Sequence, residues 1–461
     1  MSSTVYSVVG LGKLGASMSA AIASRGFKVI GVDVNPHAVE RVNAGHAPVQ
    51  ETNLEEVISA NRQRLHATSD FHEAISASDM TFVVVPTPSD GRGAFSLRYT
   101  AQAFREIGLS LARKDGYHVI VLTSTVLPGS TRHGLLPILE EASGKLCGRA
   151  FGLCYSPEFI ALGSVISDFL NPDFTLIGEF DERSGQELES RYAEILENQP
   201  PCRRMSLENA ELTKIALNSF VTTKISFANM LADLCERVPG GDIDVVSDAL
   251  GLDRRIGRRY LTGGMGYGGP CFPRDNLALA FFARAVSSHA DLAEVTDQVN
   301  RALPNKVVQR LRPMVGPGTT VAVLGLAYKP LSGVVEESQG IALAKALSQM
   351  GARVVAYDPL AGDAASAMLR DQAIILNSVA ECVSQSEVVL VTTPDPVFRS
   401  LGAEDFENGK PTITVIDFWR ILSEQLVGRP HIRYIPIGHS VDDEANTARL
   451  QALWQQNNQE R

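Results

Sequence analysis

The segment Gly263-Gly264-Met265-Gly266-Tyr267-Gly268-Gly269-Pro270-Cys271-Phe272-Pro273-Arg274-Asp275 sets one thiol beside a cation and four residues ahead of a carboxylate. Its five glycines would let backbone come close to a ligand. Pro273 with Asp275 suits the first turn of a helix, whose dipole would favour a thiolate at Cys271. A lone cysteine is more often a packed thiol than a nucleophile, but the glycine-rich loop, Arg274 and Asp275 tip this one towards a nucleophile. Glu211, Lys214 and Asn218 fall at offsets of three, four and seven, on one face of a helix. An ammonium and an amide one turn apart could present two donors to an oxyanion, although a polar stripe of this kind is more often a solvated face. In Tyr155-Ser156-Pro157-Glu158-Phe159-Ile160 an acid follows a β-like run and a proline. Glu158 and Asp275 are the candidate general acids or bases; either could instead cap a helix.

A second kind of chemistry is written at the N-terminus. Val5–Val9 reads as a strand, breaks at Gly10-Leu11-Gly12-Lys13-Leu14-Gly15 and continues into a helical stretch, Ala16–Ser24. Asp33 closes the next strand, Lys28–Val32, 18 residues after Gly15. A lone GxGxxG is only a glycine-rich turn, but between strand and helix and followed by such an acid it is a dinucleotide fingerprint. The helix N-terminus would hold a pyrophosphate and Asp33 the adenosine ribose. Asp33 would repel a 2′-phosphate and no arginine follows at Val34 or Asn35, so NAD is expected rather than NADP.

These residues need a frame, and the periodicity supplies one. Thr81–Val85 stops at Pro86-Thr87-Pro88 and Val119–Leu122 at Thr123-Ser124-Thr125, each after a helical segment, which predicts a parallel, doubly wound sheet. Ser206 to Arg237 lacks both proline and glycine and reads as one long helix, opened by Ser206 with Asn209. The strand-helix alternation then resumes. Thr320–Leu324 ends at Gly325, Val354–Tyr357 at Asp358, and Val388–Val391 at Thr392-Thr393-Pro394, an echo of the first half that predicts a second Rossmann-like domain. The expected fold is α/β, two Rossmann-like doubly wound parallel sheets joined by a central long helix and helical domain. Its expected divisions are 1–205, 206–305 and 306–461, and the polar segment 451–461 reads as a frayed end.

With 461 residues, 44% hydrophobic and 20% charged, the chain is too apolar for a disordered protein and long enough for two or three domains. It has no run of about 18 apolar residues, and no Lys or Arg precedes the short apolar segment at the N-terminus. Neither a membrane span nor a signal peptide is expected, so the cytoplasm is the default compartment. Cys147, Cys154, Cys202, Cys235, Cys271 and Cys382 form no CxxC pair and lack histidines at metal spacing, so buried thiols are expected rather than disulfides or a metal site. A net charge of −10 argues against nucleic acid as a partner.

Taken in order, the motifs resemble the nucleotide-sugar dehydrogenases, in particular the UDP-glucose 6-dehydrogenase family. The resemblance spans nearly the whole chain: the fingerprint, Val85-Pro86-Thr87-Pro88, Ser124-Thr125-Val126, Ser156-Pro157-Glu158-Phe159, Glu211-Leu212-Thr213-Lys214 with Asn218, Arg255-Ile256-Gly257, the Cys271 loop and Gly325-Leu326-Ala327-Tyr328-Lys329-Pro330. Arg255-Ile256-Gly257 and the Cys271 loop look like the UDP-glucose branch, since the N-acetylhexosamine branch carries a Gly-Val-Gly-Gly-His-Cys type of loop.

The resemblance implies a four-electron oxidation of a primary alcohol to a carboxylate with NAD, through a thiohemiacetal and a thioester on Cys271. Lys214 and Asn218 would stabilise the oxyanion, Asp275 would assist proton transfer, and Glu158 with Thr125 would position water and substrate. By the same analogy Gly10, Leu11, Gly12, Lys13, Leu14, Gly15, Asp33, Pro86, Thr87, Ser124, Thr125, Glu158 and Arg274 would hold NAD. A UDP-sugar would meet Glu158, Phe159, Lys214, Asn218, Arg255, Tyr260, Tyr267, Gly268, Phe272 and Lys329, with Arg255 reaching a neighbouring subunit in a homodimer built on the long helix.

Three departures stand out. The family's Lys-Pro-Asn-Thr-Asp-Asp-x-Arg-Glu-Ser element reads Lys329-Pro330-Leu331-Ser332-Gly333-Val334-Val335-Glu336-Glu337-Ser338, with Glu336 in place of arginine. The usual Asp-Gly-Arg appears as Asp417-Phe418-Trp419-Arg420, its arginine one place late, and Pro270 stands where serine or histidine is usual. A dehydrogenase of another nucleotide sugar, or a binding protein that has lost turnover, are the competing readings. Retention of Cys271, Lys214, Asn218 and Asp275 weighs against the second.

Overall fold

The computed structural model describes residues 4–407 and 409–459. Strand β1 (Val5–Val9) is rich in valine and buried along nearly its whole length, as expected of a strand covered on both faces. It pairs in parallel with β2 (Lys28–Val32) and β4 (Met80–Val83). With β3 (Leu65–Thr68), β5 (His118–Leu122), β6 (Phe151–Tyr155), β7 (Thr175–Glu179) and β8 (Cys202–Ser206) they form a sheet in the order β3-β2-β1-β4-β5-β6-β7-β8. The order reverses between β1 and β4, the switch point at which doubly wound sheets bind their ligands.

The strand expected to run to Val85 stops at Val83, because Val85 N–H turns from the sheet to the Ser124 hydroxyl at 3.0 Å. One further departure concerns direction. All pairs are parallel except β6 with β7, which is antiparallel. Only one short helix, Val165–Leu170, lies between those strands, less than the crossover that parallel strands usually require.

The second sheet contains β9 (Thr320–Leu324), β10 (Arg353–Tyr357), β11 (Ile374–Ile375), β12 (Val388–Val391), β13 (Ile413–Asp417) and β14 (Ile432–Pro436). It is parallel throughout, in the order β11-β10-β9-β12-β13-β14. The echo seen in the sequence is thus an echo of topology.

In chain order, after the first sheet, the long helix runs over Leu207–Cys235, and the Ser206 hydroxyl accepts the Asn209 N–H at 3.3 Å as its spacing predicts. The chain divides into two compact units, residues 1–217 with 281–288 and residues 218–280 with 289–461. The segment read as a frayed end belongs to a helix, Asp443–Gln459, with Asp442 accepting the Ala445 N–H at its start; residues 460 and 461 lie outside the described residues.

Candidate active site

In the first unit the fingerprint has the geometry a dinucleotide needs. A Cβ on Gly15 would lie 1.8 Å from the Gly10 carbonyl oxygen, so the helix packs closely against the turn, whereas a Cβ on Gly12 would meet nothing within 4 Å. That open position at the start of the helix Lys13–Ser24 is where a pyrophosphate can approach backbone. Leu11 is buried, Leu14 half-buried and Lys13 exposed. Asp33 is half-buried, and its carboxylate accepts N–H bonds from Leu11 at 2.6 Å and Asn35 at 2.8 Å.

Asp358, its counterpart in the second unit, differs. It accepts four backbone N–H bonds, from Leu326, Ala327, Leu360 and Ala361, and is buried. Four donors saturate a carboxylate, so Asp358 closes its turn, while Asp33 retains acceptor capacity for a ribose.

The loops leaving β4 and β5 are stapled together. The Ser124 hydroxyl donates to the Val85 carbonyl at 2.7 Å, and the Thr87 hydroxyl to the Thr125 carbonyl at 2.7 Å. Pro86 is exposed and Thr125 half-buried at this junction.

Beyond β6, Ser156 donates to the Leu176 carbonyl and pairs with the Tyr192 hydroxyl at 2.8 Å, which fixes the entry to Pro157-Glu158-Phe159. Burial pushes the Glu158 carboxyl up to about 7, with the Lys214 ammonium pulling the other way. Lys214, only 9% exposed, donates to the backbone carbonyl of Glu158 at 2.6 Å. Its Nζ lies 4.5 Å from the centre of the Phe159 ring, which in turn stacks on Phe174 at 4.8 Å. A carbonyl and an aromatic face together orient an ammonium. Phe174 escaped the sequence reading because it lies 40 residues from Lys214 with no motif around it.

Asn218, one turn further along the helix, belongs to the second unit, where its amide donates to Asp275 Oδ2 at 2.6 Å. Both are buried. The helix Phe272–Ala285 begins where expected: the Asp275 N–H bonds to the Cys271 carbonyl at 2.9 Å, and Cys271 is exposed at that start. Arg274 is half-buried, its Nε 3.5 Å from Asp275 Oδ1. Asn276 donates to Thr222 and to the Tyr267 hydroxyl, while Asn300 takes both the N–H and the carbonyl of Tyr267.

Tyr267 therefore anchors the loop from within. The glycines of this loop also serve its own packing: a Cβ on Gly268 would stand 2.4 Å from the Glu337 carbonyl oxygen, and the Gly269 N–H bonds to the Glu336 carbonyl at 3.0 Å. The Glu336 side chain itself is exposed.

The late arginine is also structural. Arg420 forms two bonds to Asp244, at 2.7 and 3.0 Å, and donates to the carbonyls of Phe418, Ile437, Thr262 and Gly263. It ties the start of the Cys271 loop to the end of β13. Asp242, Asp244 and His439 come close enough together to share a metal ion, but this guanidinium already binds two of those oxygens in an ion-pair network.

Arg255 is exposed and paired with Asp253 at 2.6 Å, and Lys224 holds the carbonyls of Ile256 and Gly257. Lys224, on the same helix as Lys214, thereby seats the arginine loop. Tyr260 is exposed, its ring centre 6.5 Å from that of the half-buried Phe272, and Lys329 is half-buried beside Tyr328.

Three family models match in succession: the NAD binding domain of the UDP-glucose/GDP-mannose dehydrogenase family over residues 4–196, its central domain over 208–302 and its UDP binding domain over 322–424. The chain belongs to the UDP-glucose/GDP-mannose dehydrogenase family. It is therefore an NAD-dependent nucleotide-sugar dehydrogenase, an oxidoreductase. Within this family it is 36% identical to a UDP-glucose 6-dehydrogenase of Haloferax volcanii, over 91% of this chain and 97% of that one. It is 34% identical to a GDP-mannose 6-dehydrogenase of Pseudomonas syringae pv. tomato, over 89% and 96%. Among solved structures it is similar to a UDP-glucose dehydrogenase of the archaeon Pyrobaculum islandicum, with a TM-score of 0.85, 34% identity and coverage of 95% and 98%. No helix among the described residues is long and apolar enough to cross a membrane.

Proposed function

We propose that the protein oxidises the C6 hydroxyl of UDP-glucose to the carboxylate of UDP-glucuronate. The observation that carries this reading is the exposed Cys271 at a helix start, with the buried Asn218–Asp275 pair one turn behind it. NAD, when bound on the fingerprint and Asp33, accepts a hydride in each of two successive oxidations. After the first, the Cys271 thiolate adds to the C6 aldehyde, forming a C–S bond and placing the carbonyl electron pair on oxygen. Lys214 and Asn218 stabilise that oxyanion. Loss of the second hydride from C6 of that oxyanion to a second NAD leaves a neutral thioester; the only hydroxyl proton released is that of the alcohol in the first oxidation. Water then adds, the C–S bond breaks, and the thiolate is restored with the acid. Asp275 assists the proton transfers, and Glu158, titrating near neutrality, can take a proton from the water that Thr125 positions.

A second reading, oxidation of another nucleotide sugar such as a UDP-N-acetylhexosamine or GDP-mannose, is favoured by one observation: the similarity to the GDP-mannose enzyme nearly equals that to the UDP-glucose enzyme. A panel of nucleotide sugars with NAD, counting NADH against sugar consumed, separates the two. About two NADH per UDP-glucose supports the main reading, preference for another sugar supports the second, and no NADH with any sugar leaves a binding protein.

The reading includes a homodimer and residence in the cytoplasm. Phe220, Phe227, Met230 and Leu234 are exposed on the central helix at spacings of seven, three and four, an apolar stripe of the kind that packs against a second helix. Six free cysteines, four of them buried, with Cys202 half-buried and Cys271 exposed, fit a reducing compartment. The three domain roles follow: 1–205 for NAD, 206–305 for dimerisation and 306–461 for the nucleotide.

Replacing Asp33 by Ser together with Val34 by Arg is expected to narrow the NAD-to-NADP ratio of kcat/KM at least tenfold, since the repulsion removed exceeds roughly 1.4 kcal/mol. Kinetics with both cofactors measure it. A wild type that already uses NADP as well as NAD would show that Asp33 does not face the ribose.

A further inference from the structure

Glu211 stands on the central helix three residues before Lys214, and none of the chemistry above uses it. It is fully buried, and each carboxylate oxygen accepts a backbone N–H from one distant turn, Gly129 at 2.5 Å and Thr131 at 2.8 Å. That turn opens the π-helical segment Ser130–Leu135, with Gly129 as its cap at φ 85°. The first N–H groups of such a segment have no partners within it, and a carboxylate supplies the matching charge.

The turn is also the far end of the loop that carries Thr125. At its near end the Thr123 N–H bonds to the Val83 carbonyl, Ser124 bonds to Val85, and Thr87 bonds to the Thr125 carbonyl. Thr125 is thus held on one side by the β4 loop and, four residues on, by Glu211. A buried carboxylate is costly. Glu208 on the same helix opposes its ionisation, and Glu208 itself accepts from Arg132 on the clamped segment at 2.5 Å.

We propose that Glu211 is a positioning residue of the dehydrogenase reaction: its carboxylate clamps the turn Gly129–Thr131 to the helix carrying Lys214 and so fixes Thr125 in register with that lysine. The proposal rests on the roles assigned above to Thr125 and Lys214. It makes the clamp proton-linked. An ionised carboxylate accepts both N–H bonds, whereas a protonated one turns one acceptor into a donor. Burial pushes the Glu211 carboxyl up to about 7 against the bonds from Thr131 and Gly129, so the clamp tightens as pH rises through neutrality.

The test compares wild type with Glu211→Gln by amide hydrogen exchange, NAD titration and steady-state kinetics on the full-length protein at pH 8. The amides of Gly129 and Thr131 are expected to exchange at least about tenfold faster in the variant, the loss of one such bond. NAD binding is expected to weaken several-fold and kcat to fall at least about fivefold, with KM for the sugar nucleotide within about twofold. Unchanged exchange at those amides overturns the clamp, and faster exchange with unchanged kcat and NAD affinity overturns the positioning role. If the glutamine variant does not fold, wild type still decides: protection of the two amides, corrected for intrinsic rates, must rise between pH 6 and 8, and a flat profile refutes the proposal. A wild type that oxidises no sugar would end the functional reading, but the exchange and NAD measurements would still test the clamp.

Discussion

Cys271→Ala is expected to abolish acid formation and bring NADH production down to background. Without a thiol the aldehyde has no covalent adduct from which a second hydride can leave, and the first oxidation alone is reversible. Cys271→Ser sharpens the test. An alkoxide is a poorer leaving group than a thiolate, so the serine variant should accumulate an ester that mass spectrometry detects as one covalently attached sugar nucleotide per chain. Acid produced at the wild-type rate by the alanine variant would refute the thioester route. The exposed position of Cys271 at the start of its helix makes either substitution compatible with the fold.

Lys214→Met should lower kcat by a factor of about 10² to 10³, the usual effect of removing one oxyanion donor. Methionine is the informative choice because its unbranched chain can fill the same space and still contact the Phe159 ring that faces the ammonium. The substitution has a second consequence with a definite sign. The Lys214 charge holds the Glu158 carboxyl down against burial, so removing it should raise that carboxyl above its value of about 7 and shift the basic requirement in the rate profile to higher pH. Single-turnover NADH formation across pH 6 to 9 measures both effects. A methionine variant that keeps more than roughly a tenth of wild-type kcat and the same profile would remove Lys214 from the chemistry.

The chain's elements were legible in its sequence because they are set locally. Valine-rich runs ending at Gly10, Asp33, Gly325 and Asp358 mark strands, the stretch after Ser206 without glycine or proline marks the long helix, and Pro273 with Asp275 marks the helix behind Cys271. The fingerprint glycines could be read for the same reason, since a tight turn and a helix start constrain adjacent residues.

What the sequence could not determine depends on contacts between distant residues. Asp33 and Asp358 close equivalent strands, and only the number of N–H groups folded around each, two against four, shows which retains acceptor capacity. The polar stripe on the central helix looked like a solvated face; the fold buries all three members and gives each a different partner. Lys214 meets the Glu158 carbonyl, Asn218 meets Asp275, and Glu211 meets a turn some eighty residues upstream. Helical periodicity states which residues share a face, but what that face meets depends on how the rest of the chain packs against it, and there the desolvation of a charged group becomes either a cost or a means of tuning it. The arginine one place late in Asp417-Phe418-Trp419-Arg420 shows the same limit: the sequence marks it only as a departure from the family's Asp-Gly-Arg, and its burial on Asp244 and four carbonyls makes it part of the scaffold.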